Sequence, residues 1–581
     1  LTEVIANALS SVAGEMQWTL FRTGYSTVIR ESEDASSSIL DRNGTLITFR
    51  GTLPYHMGVY ETASASLLAR YPEETLGEGD AFIVNHAYES GCPHLSDFCV
   101  LVPYFRNGKL AGFCGNTAHK PDIGGSVPGS GSGSATELFQ EGTIVPVTRF
   151  FRRGERIDEV YYMLRANSRA PDLLVGDLEA QVGTASMGCR RLDEVMDRFG
   201  TETVLNAYPQ LFSLTEAKVR REIASWPDGV AEGERFVDSD GIDLDKPVRI
   251  HVRIEKQRDR LLFDFTATAD QTKGPANIRP TVVKAACSYC VTVLVDPALA
   301  INHGLARVIE LKLREGSALH PFFPAPVNTY NPTVHALVEA LFEAFGQITP
   351  HKKVADGCSS RSIIVGGRSN KTGKSYVQYE IFGGGSGGRS GKDGVSGTNV
   401  NQSNAKIAPI EIIESEFSAR LRRFELIPDS GGPGRFRGGL GFVREYEILD
   451  HEARFSLRST KHSVAPKGIE GGLCGRTGRC TLNPDTDKER VLPSRYSDHT
   501  LYPGDVVRLE TPGGGGLGNP LERDPQKVLS DVLSGYVSQE MAEKTYGVVI
   551  ERYNGELRID EARTTESRSR GQASPAEGNK K

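Results

Sequence analysis

Histidine and aspartate side chains of metal-ligand type crowd into one short part of this chain. Asn85-His86-Ala87-Tyr88-Glu89-Ser90-Gly91-Cys92-Pro93-His94-Leu95-Ser96-Asp97 is followed by Asn116-Thr117-Ala118-His119-Lys120-Pro121-Asp122. Between them, Phe98-Cys99-Val100-Leu101-Val102 and Leu110-Ala111-Gly112-Phe113-Cys114 flank Asn107-Gly108. Asn-Gly between two β-prone runs predicts a two-residue hairpin turn. Register counted from that turn sets Asp97 opposite Ala118 and next to His119, with His94 in the loop entering the same strand. Two imidazoles and a carboxylate converging at one end of a ribbon suit a divalent first-row metal: Zn, Mn or Fe. Asp41, at the tip of a second predicted hairpin (Asp41-Arg42-Asn43-Gly44), is a candidate fourth ligand. Asp122 is a candidate to orient a ligating histidine or to act as acid or base. His56, in Pro54-Tyr55-His56-Met57-Gly58, is a candidate substrate or phosphate contact. Asp and His are also common in turns, and spacing alone leaves that plainer reading open.

Other motifs point away from chemistry. Cys92 lies near His94, but Cys92 and Cys99 lack a CxxC partner and read as buried free thiols. Cys287-Ser288-Tyr289-Cys290 is a CxxC inside an apolar helical pattern without a second pair, so it reads as core. No glycine cluster matches GxxxxGK[ST], or GxGxxG between a strand and a helix, and no GxSxG sits at a strand–helix elbow. Gly129-Ser130-Gly131-Ser132-Gly133-Ser134 reads as a mobile loop beside the site, in the position of a lid. The later glycine clusters read as turns and tight strand crossings.

The elements that must position these residues are legible in outline. Val4, Ile5, Ala8, Leu9, Val12, Ala13 and Met16 recur at helical spacing and predict a helix over 2–21. Further helices are expected at 57–70, 135–141, 277–301, 331–347, 525–533 and 538–546, and 171–226 reads as mostly helical. Strands are expected at 36–49 as a hairpin, at 81–85, at 97–119 as a hairpin, and at 246–267. From 361 to about 511 short strands alternate with glycine-dense loops. The expected organisation is a metal-site region at 1–170, a helical segment at 171–245, an α+β middle at 246–360, a Gly-rich β region with C-terminal helices at 361–560, and a disordered tail at 561–581. The fold class is α+β, multi-layered and β-rich with Gly-rich turns. Its N-terminal metal-binding region is built on β-hairpins with peripheral helices.

The 581 residues are 38% hydrophobic and 24% charged with a net charge of -6, which excludes wholesale disorder and gives no electrostatic footprint for nucleic acid or an anionic membrane. No apolar run is long enough for a transmembrane helix. Nine cysteines without small-scaffold spacing read as reduced thiols and a cytoplasmic location. Glycine, at 63 residues, is the compositional outlier and predicts many tight turns and close backbone approaches.

At these motifs the chain resembles the B-type subunit of the ATP-dependent hydantoinase/oxoprolinase family, which includes acetone and acetophenone carboxylase subunits. His94-Leu95-Ser96-Asp97 is similar to the family's T-H-L-P-D element, and Asn116–Gly125 to its N-R-A-H-H-A-D-I-G-G. Ala135–Gly142, Asp429–Gly441 and Thr511–Pro520 continue the likeness, which runs from about residue 3 to 552. The resemblance implies a divalent metal at Asp41, His94, Asp97 and His119. It also implies an A-type partner subunit carrying ATP and Mg, with room for an additional small subunit. Asn85-His86-Ala87-Tyr88 replaces N-D-P-Y, Glu89–Pro93 replaces x-G-G-T, and Lys120 replaces a second His. On those departures the expected function is the metal-containing subunit of an acetophenone-carboxylase-like ketone carboxylase. The alternative is ATP-dependent ring opening of a hydantoin, oxoproline or lactam. A third reading, a structural subunit with a decayed site, is opposed by the retained His94, Asp97 and His119.

Overall fold

The computed structural model describes residues 1–359, 361–370, 373–401 and 403–572. Seven strands make the N-terminal sheet: β1 (Ala35–Asp41), β2 (Leu46–Gly51), β3 (Ala81–Val84), β4 (Asp97–Arg106), β5 (Lys109–His119), β6 (Thr148–Arg152) and β7 (Glu155–Arg156), in the order β2-β1-β5-β4-β3-β6-β7. Period-two alternation sends Phe98, Val100 and Val102 into one core and Cys99 and Leu101 into another. Both faces are therefore covered, and β4 and β5 lie at the centre. On the first face the helix Thr2–Thr23 buries Ile5, Leu9, Val12, Ala13 and Met16 of the predicted stripe, beside the helices Pro171–Phe199 and Thr201–Ser225, while Val4 of that stripe is exposed. On the second face sit the helices Pro280–Val295 and Tyr330–Ile348. Cys287 and Cys290 are fully buried there, as the core reading expects.

The two central strands turn at Asn107 and Gly108, whose φ values of 52° and 72° suit the tight hairpin. The register differs from the simple count. Phe105 pairs with Leu110 but Tyr104 pairs with Gly112, so Ala111 is an extra residue in β5. This bulge sets Asp97 directly opposite His119 rather than opposite Ala118. A one-residue slip moves side chains to the other face of a sheet. Without the bulge, His119 would face away from Asp97.

A second sheet, β8 (Gly229–Val237), β9 (Val248–Gln257), β10 (Arg260–Asp264) and β11 (Ile309–Lys312), follows in the order β11-β10-β9-β8. β8 begins inside the segment expected to be helical. Its inward residues Ala231, Gly233, Arg235 and Val237 include one glycine and one arginine, which hides the apolar alternation. The C-terminal half contains β12 (Arg361–Arg368), β13 (Ser375–Phe382), β14 (Ala419–Leu426), β15 (Phe442–Ile448), β16 (Ala453–Arg458), β17 (Arg479–Leu482), β18 (Arg490–Leu492), β19 (Arg495–Leu501) and β20 (Val506–Glu510). They form two sheets, β13-β12-β16-β19 and β14-β15-β20-β17-β18, that share one core of Ile363, Phe382, Phe442, Phe455 and Leu509 among others.

The glycine clusters thread between these sheets as close backbone crossings. Gly432 N–H donates to Gly514 O, Gly439 N–H to Ser386 O and Gly514 N–H to Gly439 O. A Cβ at Gly514 would lie 1.9 Å from Ser386 O, so side chains are excluded there by backbone rather than by a ligand. The Gly-Ser run 129–134 is also no exposed lid. Gly129, Ser130, Gly131 and Ser132 are buried, and Gly129 and Gly131 lie against Ile364 of β12. Two further expectations differ. Residues 135–141 form only a 3-10 turn, Leu138–Glu141. After a hairpin, β21 (Ile550–Tyr553) and β22 (Glu556–Ile559), the residues Glu561–Gln572 are helical rather than disordered. That helix has no apolar stripe to read and is held by polar contacts, Thr564 Oγ1 accepting from Val549 N–H and Arg568 donating to Tyr546 O. The rest of the predicted tail, 573–581, lies outside the described residues.

Candidate metal centre

His94, Asp97 and His119 meet at the open end of the β4–β5 ribbon and are 1–2% exposed. His94 Nε2 lies 3.2 Å from Asp97 Oδ1, His119 Nδ1 lies 3.2 Å from the same oxygen, and the two ring nitrogens are 3.2 Å apart. A cation bound at about 2.0–2.2 Å by nitrogen and oxygen donors holds neighbouring donors roughly 3.0–3.5 Å apart, so the triangle fits one ion. Two nitrogens and a carboxylate suit Zn, Mn or Fe better than Ca or Mg. Among the described residues this is the group of three His, Cys, Asp or Glu residues with metal-ligand spacing.

The surroundings put each donor in the form a metal needs. Asn328 Oδ1 accepts from Arg458 Nη1 at 2.8 Å and lies 3.0 Å from His94 Nδ1. An oxygen there makes Nδ1 the donor and leaves the lone pair on Nε2, facing the centre. Burial pushes His119 down to about 3, against the opposing pull of Asp97, so its imidazole is neutral. Burial works against the Asp97 carboxylate, yet His94, His119 and His56 outweigh it and hold its pKa well below the usual range. His119 is stacked at a tilt on Tyr379, with ring centroids 4.3 Å apart.

Of the other sequence candidates, the fold brings one to the centre. His56 is fully buried with Nε2 3.5 Å from Asp97 Oδ2. Its Nδ1 lies 3.0 Å from Ser36 Oγ, which lies 2.7 Å from Tyr60 Oη. It braces the carboxylate from behind. Asp41 is not brought in. It pairs with Gly112, at the far end of β5 from His119, and its carboxylate accepts from Asn43 and Thr45 N–H to close its own turn. The residue at the correct end of β1 is Asp34, whose carbonyl accepts from His119 N–H at 3.3 Å. Asp34 is buried, its Oδ1 has no hydrogen-bond partner, and burial together with Asp97 raises its pKa to about 7. The signal that finds it is the antiparallel pairing of β1 with β5, which places the start of one strand beside the end of the other. Asp122 is buried but occupied: its oxygens accept from Gly124, Gly129 and Arg169 N–H and pair with the Arg169 guanidinium. It shapes the loop after His119. Asn328, Tyr379 and Arg458 carry no local sequence signal, because other sheets and loops deliver them.

The departures near the site belong to the scaffold. His86 Nδ1 accepts from Tyr88 N–H at the start of a short helix, Ala87–Ser90. Cys92 is buried, and burial raises its thiol well above the ordinary value. Lys120 donates to Ala118 O and Gln181 Oε1, and burial lowers its pKa to about 8. Asn85 staples the His94 loop by donating to Leu95 O and Thr143 O.

Fold and centre together define a multi-sheet α+β protein with a buried imidazole–carboxylate site at the end of a central hairpin. The chain belongs to the Hydantoinase B/oxoprolinase family, whose sequence pattern matches residues 1–520. It is 34% identical to a putative D-/L-hydantoinase of Pseudomonas sp. (strain NS671), in its B-type subunit, over 94% of each chain. It is 29% identical to the β subunit of the caprolactamase of Pseudomonas jessenii, over 97% of each. The crystal structure of the ATP-dependent caprolactamase from Pseudomonas jessenii superposes with a TM-score of 0.90 at 26% identity, covering 98% of this chain and 99% of that one. Nucleotide-free acetone carboxylase shares the fold, with a TM-score of 0.88 at 20% identity over 98% of this chain and 83% of that one. No helix among the described residues is long and apolar enough to cross a membrane.

Proposed function

We propose that this chain is the metal-binding subunit of an ATP-dependent enzyme that opens a cyclic amide of the hydantoin, oxoproline or lactam class. The observation that carries the reading is the equilateral set of His94, Asp97 and His119 donors inside a fold shared with a caprolactamase, in a chain similar to the B-type subunit of a hydantoinase. Ketone carboxylation, the function expected from the departures near the site, loses its main support. His86, Cys92 and Lys120 are engaged in the scaffold, and the likeness to acetone carboxylase is one of fold.

His94, Asp97 and His119 would hold the ion; Asp34, buried nearby, lies outside that donor set. A bound divalent ion supplies Lewis-acid polarisation of a carbonyl or phosphoryl oxygen. The chain's own residues fix the site for that role. Asn328 orients His94, and His56, held at Nδ1 by Ser36, places its Nε2 3.5 Å from Asp97 Oδ2 while Asp97 Oδ1 faces the two imidazoles. The aromatic rings of Tyr330 and Tyr379 pack on His94 and His119. ATP chemistry is assigned to an A-type partner subunit, since no phosphate-binding loop of the Walker kind occurs in the sequence.

The test reconstitutes the chain with its partner subunit, measures bound metal, and assays ATP-dependent opening of hydantoin, 5-oxoproline and caprolactam. Expected are ring opening without bicarbonate and loss of both metal and turnover in His94→Ala. Incorporation of labelled bicarbonate into a ketone, with no cyclic amide consumed, would overturn the reading.

A further inference from the structure

Beside the metal centre lies a second cluster of charge that the reading above does not use. Arg495 and Arg458 are direct partners across β19 and β16, so their side chains leave the same face of the sheet. Both are buried, at 3% and 4% exposure. Arg458 donates to Asn328 O and Asn328 Oδ1 and contacts Tyr379 Oη, but its Nε–H has no hydrogen-bond partner. Arg495 has no partner at either terminal nitrogen. Its nearest carboxylates, Asp238 and Asp240, are taken by backbone: Asp238 accepts from His462 and Val464 N–H, and Asp240 from Ile242, Asp243 and Gly274 N–H.

A guanidinium keeps its charge in proteins, and an unpaired buried charge is costly. Other buried arginines have a carboxylate directly on the guanidinium, Arg235 with Asp356, Arg444 with Glu380 and Arg523 with Asp393, although Arg444 and Arg523 also keep unpartnered nitrogens. Arg495 lacks such an ion pair and is unpartnered at both terminal nitrogens. Arg495 is instead aimed into the seam between the Gly-Ser run and the 238–241 loop. A Cβ on Gly241 would lie 1.9 Å from Gly133 O and 3.3 Å from Arg495 Cδ, and Gly133 N–H donates to Ser497 Oγ. The walls are backbone, hydroxyls and two guanidiniums, with the Asp238 and Asp240 carboxylates within electrostatic reach of Arg495.

We propose that Arg495 and the free Nε–H edge of Arg458 form an oxyanion subsite that receives the phosphoryl group of an ATP-activated substrate. The proposal rests on the amide-opening reading for the source of that group. Arg458 and Asn328 connect the subsite to His94 Nδ1, which ties the anion to the orientation of the metal ligand. Planar fork donors match the oxygens of a phosphoryl group, and one arginine without a carboxylate partner leaves that match open to a ligand. The shared chemistry is oxyanion binding; a phosphoryl group and a substrate carboxylate are its two possible sources.

Calorimetric titration and thermal unfolding of the full chain with inorganic phosphate, and separately with acetate, test the site. The wild-type chain is expected to bind phosphate and gain thermal stability from it. Arg495→Met is expected to bind phosphate at least about tenfold more weakly, the loss of one charge-assisted contact. Without phosphate it should unfold no earlier than wild type, because it removes an unpaired charge. Arg495→Lys, which keeps the charge but loses the fork, should retain an intermediate affinity. Unchanged phosphate affinity in Arg495→Met, or early unfolding of that variant in the absence of anion, overturns the proposal. Binding of acetate without phosphate overturns the phosphoryl assignment. His94→Ala separates the two readings: a variant that keeps its metal refutes the proposed centre while leaving the arginine subsite to stand on the phosphate result.

Discussion

Single side chains decide whether the centre can exist. Asn328 reaches His94 from 234 residues away, and Asn328→Leu should lower metal affinity by about 10–100-fold, read by competition with a chelating dye. Asp41→Asn should leave metal retention unchanged and loosen only its turn. Glu141 offers a pH experiment away from the ligands. Burial raises its carboxyl to about 8, although Val327 and Asn328 N–H groups pull the other way. A folded pKa above the unfolded value means that its contribution is complete below about pH 4.5 and is lost as pH rises through 8. Wild type should lose on the order of 2–4 kcal/mol between pH 5 and pH 8 relative to Glu141→Gln, measured by urea unfolding at each pH. At this scale the sequence exposed the donors that share one hairpin, His94, Asp97 and His119. It concealed Asp34 and Asn328, whose relevance depends on which strands and loops become neighbours.

At the scale of elements, periodicity was readable wherever one face is apolar. The Thr2–Thr23 stripe and the β4–β5 hairpin are the clearest cases. It failed where the inward side of a strand carries glycine and arginine, as in β8, and where a helix is held by hydrogen bonds, as in Glu561–Gln572. The bulge at Ala111 was invisible because turn geometry fixes register only up to the first irregularity. The Gly-Ser run was misread for a physical reason: small residues suit an exposed loop and a crowded crossing equally well. Gly129 has φ 69°, and a Cβ there would lie 2.3 Å from Ile364 Cγ2. Gly129→Ala should therefore destabilise the chain by about 1–3 kcal/mol in denaturant titration, and the Gly129→Ala/Ile364→Ala double variant, which removes the clashing γ carbons, should cost less than the sum of the two single changes.

At the scale of the whole molecule, the centre is assembled from separate layers. The N-terminal sheet supplies the donors, the 328–330 segment supplies Asn328 and Tyr330, and the C-terminal sandwich supplies Tyr379 and Arg458. A buried ionic network joins the same layers elsewhere: Lys461 Nζ donates to Glu339 Oε2 at 2.7 Å and to Asp356 Oδ2 at 3.3 Å, and Arg235 pairs with Asp356. Lys461→Met should cost about 3–5 kcal/mol of stability at pH 8 by leaving carboxylates uncompensated. It should cost less at pH 5.5, since Glu339, raised by burial to about 7, can then take a proton. None of this layer-to-layer pairing is written in local patterns, which is why the fold class was legible and the enclosure of the site was not. The hairpin that carries the donors has one further property. Its Asn107-Gly108 tip is exposed, and the extra residue at Ala111 lies between that tip and the donors. Alignment of the buried part is thus referenced to the bulge and the flanking strands, so a fluorophore or affinity handle spliced between 107 and 108 would ride outside the protein without disturbing the ligands at the ribbon's far end.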